Sequence, residues 1–114
     1  MKQFAFTMLI AVTSATQSIA ADPNQKVYTG VISESMCGIT HTSMGISPDP
    51  KCIVECVKHG QGVRYVLVEE KTKALYTLSD QATPERFAAQ RVRVTGTFYP
   101  KTRIIKVDSI TPAK

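Results

Sequence analysis

The sequence predicts a mainly β fold, a small five-stranded OB-like barrel with a helix between strands 3 and 4. Five segments alternate apolar and polar residues with the period of two that half-buried strands show. Two proline-containing helix start signals fall between them, one before the fourth strand and one inside a Cys/His loop-helix inserted between strands 1 and 2. Without that insertion the order is β-β-β-α-β-β, which is the element order of an OB-type barrel.

The first three strands are predicted at 27–33, 63–69 and 74–78. Each alternates apolar with polar side chains, and the polar residues between the second and third predict a hairpin turn. Gly30 interrupts the first strand, so we expect a bulge or a bend there.

The fourth strand, at 91–98, has the clearest alternation in the chain. Val92 and Val94 fall on one face, and the arginines between them fall on the other. A polar turn follows, and a fifth strand is predicted at 103–110. We expect the tail from Thr111 to be frayed.

The helix before the fourth strand is predicted at 83–90. A capping hydroxyl at Thr83, a proline at the next position and Glu85 in the first turn are typical of a helix start. This helix would bury Phe87 together with one of the two alanines that follow it.

A second helix is predicted at 50–59, within the inserted segment. Asp49 followed by Pro50 is a start signal, and Gly60 marks the end. Lys58 and His59 lie in the last turn, where positive charge is favourable.

Residues 1–20 have the features of a signal peptide. Lys2 precedes a short apolar run, and the small residues Ser18 and Ala20 suit cleavage after position 20. That run is too short to span a bilayer, which needs about 20 residues. We therefore expect a periplasmic or secreted protein whose mature part, residues 21–114, is one OB-like domain without a membrane span. In that compartment disulfides form and persist.

The chain carries a formal net charge of +5, with 14 Lys and Arg against 9 Asp and Glu. These basic residues are spread along the sequence and form no dense run. A solvated basic surface explains them, and a patch for anionic partners is the alternative. Nucleic acid is not an expected partner of an exported protein.

Four soft or borderline ligands fall within one short segment, with the spacing C-x3-H-x10-C-x3-C. They are Cys37, His41, Cys52 and Cys56. A spacing of four places Cys52 and Cys56 on one face of the predicted helix. Three Cys and one His are a recognised ligand set for tetrahedral zinc, so the sequence predicts a metal site here with zinc as the first candidate.

Other interpretations of this segment stay open. Copper is the second candidate metal, because Met36 and Met44 flank the cluster and thioethers suit Cu(I), although methionines there can simply pack. A Cys37–Cys52 disulfide would leave one thiol over, since the chain has three cysteines. A thiol-disulfide redox protein is a third interpretation, and His59 is a fifth candidate ligand.

The sequence contains no nucleophile triad, phosphate-binding loop or paired carboxylates that spacing alone reveals, so we expect a protein that is not an enzyme. The alternative function is a ligand-binding module for an anionic or sugar ligand, stapled by one disulfide. Its candidate stacking platform is formed by Tyr28, Tyr65 and Tyr76, although tyrosines in a half-buried strand more often pack in the core or across strands. Apart from a metal ion, the sequence names no partner, although an envelope protein is a candidate.

The chain resembles a family of small exported bacterial proteins of unknown function. Their pattern is G-x-I-x-D-S-M-C-G-x-x-H, then C-x3-C-V-K-x-G, Y-V-L and G-x-x-V-x-V-x-G. The matching segments here are at 30–41, 52–60, 65–68 and 90–96. Two positions depart from it: Glu34 stands where the family usually has Asp, and Gln90 where Gly is common. The resemblance implies an exported OB-like domain whose Cys and His residues belong together, and it implies no reaction.

Overall fold

The computed structural model describes residues 22–36 and 49–113, together with Ala15. Five strands form a mixed sheet that closes into a ring, with the strand order β1-β2-β3-β5-β4. The predicted leader and most of the loop after Met36 lie outside the described residues. The strands are β1 (Gln25–Glu34), β2 (Tyr65–Glu69), β3 (Leu75–Leu78), β4 (Arg91–Tyr99) and β5 (Ile104–Pro112).

Strand β1 closes the ring because it pairs with a strand on each side. It is antiparallel to β2, with Ile32 opposite Leu67, and antiparallel to β4, with Gly30 opposite Val92. Strands β2 and β3 form the predicted hairpin, and β5 is antiparallel to β4. The β3–β5 pair is the parallel contact.

The core lies inside the ring, where the apolar residues of each alternating strand converge. On β4, Val92 and Val94 are fully buried and the arginines between them are exposed, as the period of two predicts. Among the described residues, the other fully buried apolar side chains include Ile32, Ile53, Leu67, Leu78, Pro84 and Ile105.

Two glycines allow neighbouring strands to approach closely. A Cβ at Gly30 would lie 2.1 Å from the carbonyl oxygen of Val68, and one at Gly96 would lie 2.1 Å from that of Lys106. The β4–β5 register shifts at Gly96, which is a bulge. The irregularity expected at Gly30 is instead a close backbone contact.

The α-helix predicted at 83–90 was wrong in type and in length, because this segment is a 3-10 helix at Thr83–Phe87. The N–H of Ala88 donates to the carbonyl three residues earlier, at 3.3 Å. Ala89 then takes a positive φ of 63°, and its N–H donates to the carbonyl of Ile32 at 2.9 Å. Pairing with β1 therefore ends the helix early and buries Ala88 in the core.

The expectation of a frayed tail from Thr111 was also wrong. Strand β5 continues to Pro112, and the N–H of Ala113 donates to the carbonyl of Arg91 at 3.0 Å. Pairing with β4 explains the order, because Thr111 lies opposite Arg93 and Pro112 lies opposite Val92. Among the described residues, no helix is long and apolar enough to cross a membrane.

Candidate metal centre

Helix α1 (Pro50–His59) positions two of the four predicted ligands, and its bounds are those predicted from the sequence. The side chain of Asp49 caps the helix by accepting from the backbone N–H of Lys51 at 2.9 Å. Pro50 occupies the first turn, where a missing N–H costs nothing. At the other end, the N–H of Gly60 donates to the carbonyl of Cys56 at 2.8 Å.

One side of α1 anchors the helix on the ring of strands. Ile53 is fully buried in the core, and Val54 and Val57 pack against it while remaining half-buried. An exposed ion pair between Lys58 and Glu85, at 3.4 Å, also links α1 to the 3-10 helix. Because exposed pairs contribute little, apolar burial is what holds the helix in place.

Cys52 and Cys56 lie one turn apart on α1 and line the same cleft, which has a volume of about 350 Å³. The structure therefore brings these two predicted ligands together. Cys37 and His41, the other two, lie outside the described residues, so their part of the ligand set stays a prediction. The described residues that line this cleft, called the thiol cleft below, are Met36, Cys52, Glu55, Cys56, His59 and Gly60.

Cys52 is exposed and carries a free thiol, so no disulfide joins it to Cys56 on the same helix. Within residues 22–36 and 49–113, no three His, Cys, Asp or Glu side chains converge as a metal site. Two thiols therefore come from the described part of the chain, and a complete site needs donors from the 37–48 segment.

His59, the candidate fifth ligand, has a competing partner in the same cleft. Its Nε2 lies 3.0 Å from a carboxylate oxygen of Glu55, one turn earlier on α1. Both side chains are more than half exposed. This pair explains His59 without a metal, so we keep it outside the proposed ligand set.

Sequence reasoning missed the role of Glu34, which is fully buried at the end of β1. Its carboxylate accepts from the backbone N–H of Met36 at 2.6 Å. The sequence does contain one indication of this burial, because alternation along β1 places Glu34 on the same face of the strand as the buried Gly30 and Ile32. A charged residue at a core-facing position of a strand indicates a structural or functional hydrogen-bond acceptor.

The next residue, Ser35, forms two hydrogen bonds that link the start of the loop after β1 to Arg64, the residue before β2. Its N–H donates to the carbonyl of Arg64 at 2.9 Å, and its hydroxyl accepts from the N–H of Arg64 at 3.0 Å. The chain is therefore held by hydrogen bonds up to Met36, the last described residue before Cys37.

The candidate three-tyrosine platform does not form, because Tyr65 is only 2% exposed and packs in the core, which is the alternative for a strand tyrosine. Tyr76 instead packs against two other rings, with its ring centroid 5.6 Å from that of Tyr28 and 5.0 Å from that of Phe98. Burial, with a smaller contribution from Tyr76, raises the pKa of Tyr28.

A second cleft of about 630 Å³ opens beside this aromatic cluster, at the end of the ring opposite Glu34. Tyr99, which is 50% exposed, lines it together with Tyr28 and Phe98. Polar side chains, among them Asp22 and Lys26, complete the lining. This second cleft therefore contains Tyr28, one of the three tyrosines of the candidate platform.

No protein-family model matches this chain, and no curated protein or solved structure matches it. The resemblance drawn from the sequence motifs therefore stays a prediction.

Proposed function

We propose that the protein is an exported, non-enzymatic OB-like domain that binds one thiophilic metal ion, Zn²⁺ or Cu⁺. The ligands are Cys37, His41, Cys52 and Cys56. One observation carries the proposal: Cys52 and Cys56 lie one turn apart on a firmly packed helix and line one cleft.

The chemistry of two such thiols favours a metal over a disulfide. Residues four apart on a helix lie close enough for both sulfurs to reach one ion. A disulfide between them would need a local geometry that a regular helix does not offer. Metal binding then requires two further donors, and Cys37 and His41 are the nearest candidates in the sequence.

The scaffold supports the same function. The closed strand order, the parallel β3–β5 pair and the 3-10 helix between β3 and β4 favour an OB-like barrel. In OB domains the loop between strands 1 and 2 is one of the two that bind ligands. Here that connection carries all four proposed metal ligands.

The test is the metal content of protein that has been expressed with its own leader and purified from the periplasm. Elemental analysis together with native and denaturing mass spectrometry should give one metal ion and three free thiols per chain. Cys52→Ser, Cys56→Ser and His41→Ala should each lose most of the metal. Since metal binding to the folded state stabilises it, their melting temperatures should also fall to that of chelator-treated protein.

His59→Ala is the matched control, because it changes a histidine of the same cleft that is paired with Glu55. It should keep its metal. If His41→Ala retained a full equivalent, the ligand set would be wrong. If the protein contained a disulfide and no metal, the proposal would fail, and the ligand-binding function of the second cleft would be favoured.

A further inference from the structure

We infer that the thiol cleft selects Cu⁺ over Zn²⁺, and that the thioether of Met36 is the selecting ligand. This inference rests on the proposed metal function, and it names Cu⁺ as the ion that is bound. The side chain of Met36 is 66% exposed although it is large and apolar. It lines the same cleft as Cys52 and Cys56.

Packing does not account for a methionine at this position. Burying a methionine side chain contributes about 1.5–3 kcal/mol, and most of that is forgone when the side chain stays exposed. Val27 and Tyr99 are the other two large apolar residues with such exposure among the described residues, and neither lies beside a thiol. A soft metal ion instead requires sulfur donors that are accessible and close together, and an exposed thioether next to two thiols provides them.

The backbone at Met36 is anchored, so the thioether is presented from a fixed point. The buried carboxylate of Glu34 accepts the Met36 N–H at 2.6 Å. Ser35 is paired with Arg64 through both its N–H and its hydroxyl. Rigid support of this kind is what keeps a ligand within reach of the ion.

The ions differ in their preference for sulfur. Thioether and thiolate ligands select Cu⁺, whereas zinc sites in proteins use thiolate, imidazole and carboxylate. A thioether added to the thiolates of the proposed ligand set therefore strengthens the binding of Cu⁺ and leaves the binding of Zn²⁺ nearly unchanged. The protein holds the ion as Cu⁺ throughout, so no oxidation or reduction is part of the inference.

The experiment compares three proteins, the unchanged chain, Met36→Leu and Cys52→Ser, each purified without metal and kept anaerobic. Cu⁺ is supplied as its bicinchoninate complex, and the affinity is obtained from the competition. Zn²⁺ affinity is measured in parallel against a zinc-sensitive dye. Leucine fills a similar volume without the sulfur, and at an exposed site it should leave the melting temperature within about 2 °C.

Met36→Leu is expected to weaken Cu⁺ binding by about tenfold or more while changing Zn²⁺ affinity by less than about twofold. Cys52→Ser is expected to weaken the binding of both ions. Equal Cu⁺ affinity in Met36→Leu and the unchanged protein would overturn the role of Met36. The proposed metal site would still stand in that case if Cys52→Ser bound Zn²⁺ more weakly than the unchanged protein. Equal losses of both ions in Met36→Leu would also overturn it. If the unchanged chain bound neither ion, the proposed function would fail as well.

Discussion

Cys52 and Cys56 differ in exposure although they lie one turn apart and line the same cleft. Cys52 is exposed, whereas Cys56 is half-buried, closer to the side of α1 that packs on the core. The thiol of Cys52 is therefore the more accessible of the two.

The difference in exposure predicts an order of modification in the metal-free, reduced protein. Iodoacetamide should alkylate Cys52 about fivefold or more faster than Cys56, because thiol reactivity depends on access. Peptide mapping by mass spectrometry after timed quenching measures both rates, and the chain unfolded in denaturant, where the two should react alike, is the control. Faster alkylation of Cys56 would contradict this account of the cleft.

The side chain of Gln81 makes hydrogen bonds with the backbone at the start of β2 and the end of β3. Its side-chain oxygen accepts from the N–H of Tyr65 at 2.8 Å, and its side-chain nitrogen donates to the carbonyls of Tyr65 at 3.0 Å and Leu78 at 2.8 Å. We expect Gln81→Ala to lower the free energy of unfolding by about 2 kcal/mol, because three partly buried backbone groups lose their partner. Urea unfolding, read from the midpoint at unchanged slope, gives the value.

Gln90→Ala is the matched control for Gln81→Ala. The Gln90 side chain is exposed and makes a single long hydrogen bond, to the carbonyl of Arg86 at 3.4 Å. It should cost less than about 0.5 kcal/mol. Similar losses in both variants would show that the pairing with Tyr65 contributes nothing specific.

Asp80 makes the stability depend on pH. The Thr83 hydroxyl is the main cause that lowers the pKa of Asp80, because it donates a hydrogen bond to the carboxylate, and the N–H groups of Thr83 and Ala82 donate further ones. A carboxyl whose pKa is lower in the folded state stabilises the protein above its unfolded-state pKa, which is about 3.9. That contribution is lost as the pH falls through the lower, folded-state value.

Asp80→Asn keeps an acceptor oxygen and removes the titration. We expect it to be less stable than the unchanged protein by about 1 kcal/mol at neutral pH, and the difference should shrink as the pH falls below about 3.9 and through the lower, folded-state pKa. Thermal or urea unfolding at a series of pH values measures it. A difference that stays constant across that range would show that Asp80 does not titrate with folding.

The alternation of apolar and polar residues predicted the five strands, because one face of each strand is buried inside the ring. The bounds differ from the predicted ones by two residues at most, as for β2, which begins at Tyr65 where 63 was expected. The helix signals at Asp49 and Pro50 also placed α1 correctly, since capping is a local interaction. The pair Cys52 and Cys56 followed directly from helical periodicity.

Other features depend on contacts between residues far apart in the sequence. The helix before β4 became a short 3-10 helix because Ala89 pairs with Ile32, which no local pattern indicates. Tyr65 and Tyr76 have similar sequence surroundings, yet Tyr65 is in the core and Tyr76 lies in the aromatic cluster. The hydrogen bonds of Gln81 likewise exist only after β2 and β3 have paired.

By itself, the sequence determined the alternating strands, the cap and face of α1, and which side chains have the chemistry to bind a metal. These follow from periodicity and from neighbours within one turn. Only the tertiary structure decided that Met36 stays exposed beside two thiols while Glu34 is buried beneath it. Exposure and burial are properties of surfaces that meet when distant segments pack, so they are settled by the fold as a whole.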